Sequence, residues 1–274
     1  MKKTILLFLT VCLLLLCAGA AHAQELRVDF YNVGKADAML ITTPQGQRIL
    51  IDTATNAEGK KLAKRLVQEG IETIDLLIIT HFDKDHVGGA DQIFDKMKVG
   101  QVLTPVYEKD SKQYEQFMEA LEESKDTQLV TMKNAQRLEF EAGGVKFLVT
   151  SAKRTNYGKD EENDFSLVVR MTYGDTRFLF AGDAEKARQM EILDEGDVAC
   201  DVLKVPYHGR LTDVSPAFIA AAKPKIAFVT DSEKEPASDV VLSLLSEAGA
   251  QVYSARSGDL TVISDGKTVR IGQE

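Results

Sequence analysis

Four side chains that can bind a metal ion lie within six residues of one another: His81, Asp83, Asp85 and His86. They follow an apolar run at residues 76–79 that predicts a buried strand, so a turn after it can bring them to one point. Imidazole and carboxylate groups together suit zinc, manganese or iron. A solvated acidic turn with a stray histidine is the alternative, but it does not account for two histidines flanking two aspartates. The segment therefore predicts a metal site.

Two further candidates follow apolar, strand-like segments later in the chain. Asp183 comes after residues 178–181 and a glycine, and His208 comes after residues 202–205. Taken alone, Asp183 fits a helix cap as well as a metal ligand. His208 fits a surface turn, but it is the last histidine available outside the first motif and the N-terminal segment, so the ligand interpretation is preferred.

The composition is that of an acidic, folded chain. The sequence has 42 Asp+Glu against 33 Lys+Arg over 274 residues, a net charge of −9, and 44% hydrophobic residues. This hydrophobic content excludes a disordered chain and allows one large domain with a substantial core. The negative charge argues against a protein that coats nucleic acid by bulk charge, although a local basic groove stays compatible with it.

Residues 1–23 have the pattern of an export signal. Two lysines precede an apolar run at residues 5–16, and small residues lead to Ala23. A membrane anchor is the alternative, but the run is short for a span. Cleavage near Ala23 would leave a periplasmic or extracellular chain without a transmembrane domain, with Cys200 as a buried strand thiol. Lipid anchoring through Cys17 is not favoured, because bulky Leu16 precedes it.

Hydrophobic periodicity and turn residues predict alternating strands and helices. Strands are predicted at residues 26–33, 38–43, 47–52, 75–80, 128–132, 137–140, 145–150, 165–172, 177–181, 201–205, 226–230, 251–254, 260–264 and 268–271. Helices are predicted at residues 59–69, around 114–121, and at 185–193, 215–222 and 238–247. The charged residues 153–164 read as a loop. No linker or repeat stands out, so residues 24–274 are expected to form one domain.

The pattern His-x-Asp-x-Asp-His-x-Gly-Gly at residues 81–89 resembles the signature of the metallo-β-lactamase superfamily. Asp83 stands where most members have a histidine, which is similar to the hydrolase domain of ComEC-type competence proteins. Other segments resemble that domain in the same order: residues 29–38, 50–52, 163–168, 178–183 and 203–210. The resemblance implies an α/β fold, an αββα sandwich of two mixed β-sheets flanked by helices.

The resemblance also implies a hydrolytic centre with one or two divalent metal ions, zinc or manganese. One ion would be bound by His81, Asp83 and His208. The other would be bound by Asp85 and His86, with Asp183 bridging the two. Catalytic roles would fall on Asp85, which could orient or deprotonate the attacking water, and on His86 and Asp183. Asp37 and Asp52 are expected either to hydrogen-bond near the site or to be ordinary strand-end aspartates.

The sequence also departs from the family pattern. Tyr207 stands in place of the first histidine of a pair, and Arg210 in place of a serine. Residues 232–238 lack the late His-Pro segment, so a histidine ligand is missing. The second metal site would then be weak, or would be completed by Glu235 or water.

These features predict an exported metal-dependent hydrolase that cleaves a phosphodiester through metal-activated water. The substrate could be nucleic acid, a nucleotide or a phosphorylcholine-type ester, and the resemblance implies a link to competence and DNA uptake. The alternative is a catalytically weak binding module with an incomplete second metal site. Four cations near the predicted loops would either meet a phosphate or be solvated: Lys153, Arg154, Lys204 and Arg210. Nothing in the sequence indicates the oligomeric state.

Overall fold

The computed structural model describes residues 25–158 and 162–272, so the predicted leader at residues 1–23 lies outside the described part. Two mixed sheets form the centre of the fold. The first sheet has the order β15 (Val269–Ile271), β14 (Leu260–Ser264), β1 (Leu26–Phe30), β2 (Met39–Thr42), β3 (Arg48–Ile51), β4 (Thr73–Ile78), β5 (Lys98–Pro105) and β6 (Gln128–Met132). The second has the order β13 (Gln251–Ser254), β12 (Ile226–Val229), β11 (Val202–Lys204), β10 (Thr176–Phe180), β9 (Val168–Tyr173), β8 (Val145–Thr150) and β7 (Arg137–Ala142).

Helices cover the outer face of each sheet. They are α1 (Asn56–Gln68), α2 (Ala90–Lys96), α3 (Lys112–Glu123), α4 (Lys186–Glu195), α5 (Ser215–Ala222) and α6 (Asp239–Glu247). Side chains of α1, α2 and α3 pack on the first sheet, and those of α4, α5 and α6 pack on the second. A third apolar layer, with Phe30, Phe180 and Phe228 at its centre, lies between the sheets. The predicted αββα sandwich is confirmed.

Strand β4 shows why its sequence is an unbroken apolar run. Leu77 packs towards the helices of its own sheet, while Ile78 packs into the layer between the sheets. A strand with both faces buried needs apolar residues at successive positions. Strand β4 pairs in parallel with β3 and β5.

Most predicted elements occur, with shifts of a few residues at their ends. The apolar pattern does not predict strand β5, because Lys98, Gly100 and Gln101 interrupt it at exposed positions. The predicted strand at residues 165–172 begins later, at Val168, because residues 162–165 form a 3₁₀ turn that carries Asp164 towards the start of α4.

Loops that follow the parallel strands meet at one edge of the sandwich. In open α/β sheets this edge, beyond the carboxyl ends of the strands, is where ligands bind. The loop after β4 is tied to the segments before β2 and after β3 by backbone hydrogen bonds, from Asp37 N to Asp85 O (3.0 Å) and from Thr53 N to His86 O (2.8 Å). The edge therefore has a fixed backbone.

Candidate metal centre

The loop after β4 and the loops after β10 and β11 supply the titratable groups of this edge. Asp183 follows β10 after Gly182, and His208 follows β11. Tyr207 N donates to Gly182 O (3.3 Å), which joins the last two loops. Both Tyr207 and His208 have left-handed backbone, with φ of 52° and 51°. Non-glycine residues in this region are strained, and such strain concentrates at functional sites.

His86 is fully buried and is held by a carboxylate behind its ring. Its Nδ1 lies 2.8 Å from Asp52 Oδ2, and Asp52 also accepts hydrogen bonds from the backbone N and Oγ1 of Thr80 (2.8 and 2.7 Å). The opposite nitrogen, Nε2, lies 3.4 Å from Asp183 Oδ1. Burial opposes protonation, but the carboxylates of Asp183, Asp52 and Asp37 raise the pKa of His86 well above its usual value. His86 is therefore held between carboxylates on both sides of its ring.

His208 is oriented in the same way from the second sheet. Its Nδ1 lies 2.8 Å from the backbone oxygen of Thr230, the residue that follows β12. Its Nε2 lies 2.8 Å from Asp183 Oδ2 and 3.6 Å from Asp85 Oδ2. His208 therefore lies with Asp85 and His86, and not with His81 and Asp83 as the family resemblance implies.

Among the described residues, the buried Nε2 of His81 has no hydrogen-bond partner, and the buried Nε2 atoms of His86 and His208 face the carboxylate of Asp183. The ring of His86 lies 4.0 Å from that of His81 and 5.4 Å from that of His208, measured between centroids. Burying nitrogens without partners costs free energy, and a divalent cation satisfies them as hydrogen bonds would.

Asp183 lies between these rings as the shared carboxylate. Its backbone N donates to Ser166 Oγ (3.1 Å), which fixes the residue after the turn at Gly182. Although burial opposes it, His208, His86 and Lys204 hold the pKa of Asp183 well below its usual range. Asp183 is therefore an anion that faces two imidazole nitrogens.

Asp37 lies on the other side of the two rings. Asp37 belongs to a group of four residues whose ligand atoms lie within 4.8 Å of one another, with His86, Asp183 and His208. Its oxygens, however, face the Nδ1 atoms of His208 (3.7 Å) and His86 (3.8 Å), and Oδ2 forms an ion pair with Lys204. An ion bound through the Nε2 atoms would have Asp37 behind its ligands, as a group that orients them.

Lys204 is a cation buried within the site. Its side chain is fully buried, and Nζ contacts Asp37 and donates to the backbone oxygen of Gly182 (3.0 Å). Despite burial, Asp37 and Asp183 raise its pKa, so the ammonium stays charged. Lys204 is one of the cations that the sequence suggests as a phosphate contact, but its side chain is fully buried and cannot reach a substrate in solvent.

Of the remaining residues of the first motif, His81 is fully buried, whereas Asp83 and Asp85 line the mouth of the site. Burial lowers the pKa of His81 to about 4, so its ring is neutral at pH 7, and Nδ1 lies 3.1 Å from Thr80 Oγ1. Lys35 Nζ lies 2.6 Å from Asp85 Oδ2, and Lys109 Nζ lies 2.6 Å from Asp83 Oδ1. The sequence analysis did not single out either lysine as a site residue.

A polar cavity of about 580 Å³ opens at this mouth. It is lined by Lys35, Thr55, Asp83, Lys84, Asp85, Lys109, Ser111, Gln113 and Glu235. Glu235, a candidate for completing the second metal site, is exposed and pairs with Arg210 (3.0 Å). The cavity places lysine side chains beside the aspartates of the motif.

The other predicted cations bind protein groups. Arg154 Nε lies 3.8 Å from Glu191 Oε1, and Lys153 Nζ donates to Glu191 O (3.4 Å). Cys200 is buried next to β11, and burial raises the pKa of its thiol. No helix in the described ranges combines the length and apolar character needed to cross a membrane.

A two-sheet sandwich with a histidine and aspartate cluster at its strand ends defines a class of metal-binding α/β proteins. A family model described as the metallo-β-lactamase superfamily matches residues 31–229. The chain belongs to this superfamily. The predicted family is confirmed.

The chain is also similar to curated competence proteins of the ComEC type. It is 30% identical over 250 residues to ComE operon protein 3 of Bacillus subtilis (strain 168), covering 82% of this chain and 30% of that protein. It is 28% identical over 231 residues to Recombination protein 2 of Haemophilus influenzae, covering 82% of this chain and 27% of that protein. The chain thus spans less than a third of the length of these relatives.

Among solved structures, the fold is similar to that of CmlA, a diiron β-hydroxylase from Streptomyces venezuelae. The TM-score is 0.55 at 15% identity, over 87% of this chain and 54% of that chain. At this identity the likeness establishes the fold alone, because one fold supports several chemistries.

Proposed function

We propose that the chain is a metal-dependent hydrolase that cleaves phosphodiesters. The observation that carries the proposal is the convergence of the buried Nε2 atoms of His86 and His208 on Asp183, with Asp85 Oδ2 3.6 Å from His208. Two imidazoles and one or two carboxylates are a typical ligand set for a catalytic divalent ion with an open position. His81 and Asp83 would border a second position.

Each of these residues has a defined task in the proposed reaction. His86, His208 and Asp183 would hold the ion, and Asp52 and the Thr230 carbonyl would fix the rings by accepting from Nδ1. A divalent ion at such a site lowers the pKa of water towards neutrality and stabilises charge on the attacked group. Asp85, at the mouth, would orient the attacking water and accept its proton.

The phosphodiester class is supported by charge at the mouth and by the relatives. Lys35, Lys84 and Lys109 line the cavity next to the metal-binding group. Lys35 and Lys109 pair with Asp85 and Asp83, and their remaining N–H groups, like those of Lys84, can donate to the anionic oxygens of a substrate. The net charge of −9 opposes bulk binding of nucleic acid, so a strand would be held by this local cluster and the ion. Relatives that are competence proteins favour nucleic acid over a small ester.

We also propose that the protein works after export. The support is the pattern of residues 1–23, two lysines, an apolar run and small residues ending at Ala23. In that case the hydrolase domain would comprise residues 24–274. N-terminal sequencing of the secreted or periplasmic protein should begin at Gln24, whereas a chain that keeps its first residues and stays in the cytoplasm would contradict export.

The test of the activity pairs metal content with hydrolysis. Protein loaded with Zn²⁺ or Mn²⁺ should hydrolyse bis(p-nitrophenyl) phosphate and single-stranded DNA, and Asp183→Asn should lower both rates roughly 100-fold or more. Asp213→Asn, which changes an exposed aspartate paired with Lys186, is the matched control and should keep full activity.

Two outcomes would contradict the proposal. One is the absence of stoichiometric metal in the wild-type protein, and the other is hydrolysis that Asp183→Asn leaves unchanged. Binding of single-stranded DNA without hydrolysis by the metal-loaded protein would instead identify a binding module. Turnover of a β-lactam in place of the phosphodiester would assign acyl chemistry.

A further inference from the structure

The two halves of the predicted metal centre are unequal. On one side, His86, His208 and Asp183 bring two imidazole nitrogens and a carboxylate together, with Asp85 beside them. On the other side, His81 contributes one nitrogen, Nε2, because the hydroxyl groups of Thr80 and Ser166 lie at its Nδ1, behind the ring. A second ion there would depend on Asp83 and on sharing Asp183 with the first ion.

Asp83 is already bound by a cation. Lys109 Nζ lies 2.6 Å from Asp83 Oδ1 and also contacts Glu162, so one ammonium is shared by two carboxylates. The side chain of Lys109 is 20% exposed, which makes this pair better shielded than a surface salt bridge.

The backbone that carries Lys109 is anchored to the motif. Tyr107 accepts a hydrogen bond from Phe82 N (2.7 Å), and its ring packs on Phe82 (4.7 Å) and on Phe165 (4.8 Å). Phe82 lies between His81 and Asp83 in the sequence. These contacts fix the segment that carries Lys109 next to Asp83.

We infer that the ammonium of Lys109 takes the place of a second metal cation, so that this chain binds one divalent ion where the two-metal pattern of its motif would allow two. The inference rests on the proposed metal centre. Lys35 contacts Asp85 at 2.6 Å in a similar way, but that side keeps both imidazoles and Asp183 as ligands without Asp85. The single ion therefore belongs to His86, His208 and Asp183.

The ammonium of Lys109 can also contact a substrate at the mouth of the site. Lys109 lines the cavity beside Asp83, facing the space that a substrate would enter. The ammonium there can donate a hydrogen bond to a phosphoryl oxygen, a contact that a second ion would otherwise make. Because the lysine is part of the chain, this contact does not depend on the concentration of free metal.

Metal stoichiometry tests the inference independently of activity. Chelator-treated protein is titrated calorimetrically with Zn²⁺ and, separately, with Mn²⁺, and bound metal is then measured by elemental analysis. The wild-type chain should bind one equivalent. Lys109→Gln should bind a second equivalent about tenfold or more tightly than any second equivalent in the wild type, because Asp83 loses its competing cation.

Matched variants separate this effect from a general change in charge. Lys84→Gln removes another lysine from the same cavity and should still bind one equivalent, as should Lys109→Arg, which keeps a cation. Adding Asp83→Asn to Lys109→Gln should abolish the second equivalent. Circular dichroism and unfolding curves of each variant establish that it is folded.

The outcomes distinguish the inference from the proposed function. Two equivalents of comparable affinity in the wild type, or one equivalent in folded Lys109→Gln, would overturn the inference and leave the hydrolase proposal standing. No bound metal in the wild type would overturn both. One equivalent in the wild type and two in Lys109→Gln supports the inference.

Discussion

The two best-placed imidazoles of the site are oriented by acceptors behind their rings. His86 donates from Nδ1 to Asp52, and His208 does so to the Thr230 carbonyl, which leaves both Nε2 atoms facing Asp183. Acceptors of this kind set the tautomer and make the free nitrogen a better ligand. The protein alone therefore orients both histidine rings for binding a cation.

Lys204 stabilises this arrangement through charge. Lys204→Met should lower the free energy of unfolding by about 3–5 kcal/mol, because it leaves buried Asp37 without its countercharge. Urea unfolding of metal-free protein measures the change. Lys225→Met, which breaks an exposed pair with Asp201, should cost about 1 kcal/mol or less.

A double variant completes this test. Lys204→Met combined with Asp37→Asn removes both charges, so it should be more stable than Lys204→Met alone. An unchanged free energy of unfolding in Lys204→Met would show that the ion pair of Lys204 and Asp37 does not stabilise the fold.

At the scale of elements, the start of α4 links the second sheet to the site. Asp164 is buried and accepts hydrogen bonds from the backbone N of Glu185 (2.8 Å) and Arg188 (3.0 Å). Such an acceptor caps the helix N-terminus. Burial outweighs these hydrogen bonds and raises the pKa of Asp164 to about 6. The carboxyl group therefore titrates higher in the folded than in the unfolded chain.

This shift predicts a pH-dependent stability difference between the wild type and Asp164→Asn. The folded protein binds the proton more tightly than the unfolded chain, so this contribution to stability is complete below about pH 4 and is lost as pH rises to about 6. Relative to Asp164→Asn, the wild type should lose up to about 1.4 kcal/mol per pH unit in this window. Urea unfolding at several pH values measures the difference, and parallel curves would contradict it.

The contact between α1 and the loop before α2 holds the motif against the first sheet. A β-carbon on Gly59 would lie 2.3 Å from the Cα of Gly89 and 2.7 Å from the backbone oxygen of Thr53. Gly59→Ala should therefore destabilise the protein by about 1–3 kcal/mol, because helix α1 must move away from the backbone of Gly89 and Thr53. Thermal unfolding measures it, with Lys60→Ala at the exposed neighbouring position as the control. Equal melting temperatures for the two variants would show that this contact is not tight.

At the scale of the whole molecule, the site joins the two sheets. His81, Asp83, Asp85 and His86 come from the first sheet, whereas Asp183 and His208 come from the second. A bound ion should therefore stabilise both halves against unfolding. At a free metal concentration of 100 times Kd, the free energy of unfolding should rise by about 2.7 kcal/mol.

Calorimetric or fluorescence melting with metal and with chelator tests this linkage. The stabilisation should vanish with chelator and be much smaller in Asp183→Asn. An equal increase in that variant would place the stabilising ion elsewhere on the protein.

Sequence pattern predicted much of the fold and of the candidate site. Hydrophobic periodicity identified most strands because their buried faces need apolar side chains, but it missed β5, where polar residues occupy exposed positions. The first motif predicted a metal site because its four ligand-type residues are adjacent in the chain. The proposed ligand set itself remains a proposal.

The class of the fold, the family and the residue types available for metal chemistry follow from local spacing and apolar pattern, so they can be inferred from the sequence. Which groups meet depends on tertiary packing: His208 lies with Asp85 and His86, Lys204 pairs with Asp37, and Lys109 pairs with Asp83. Contacts between residues far apart in the chain depend on how the two sheets pack, and no local pattern encodes the pairing of one lysine with one aspartate.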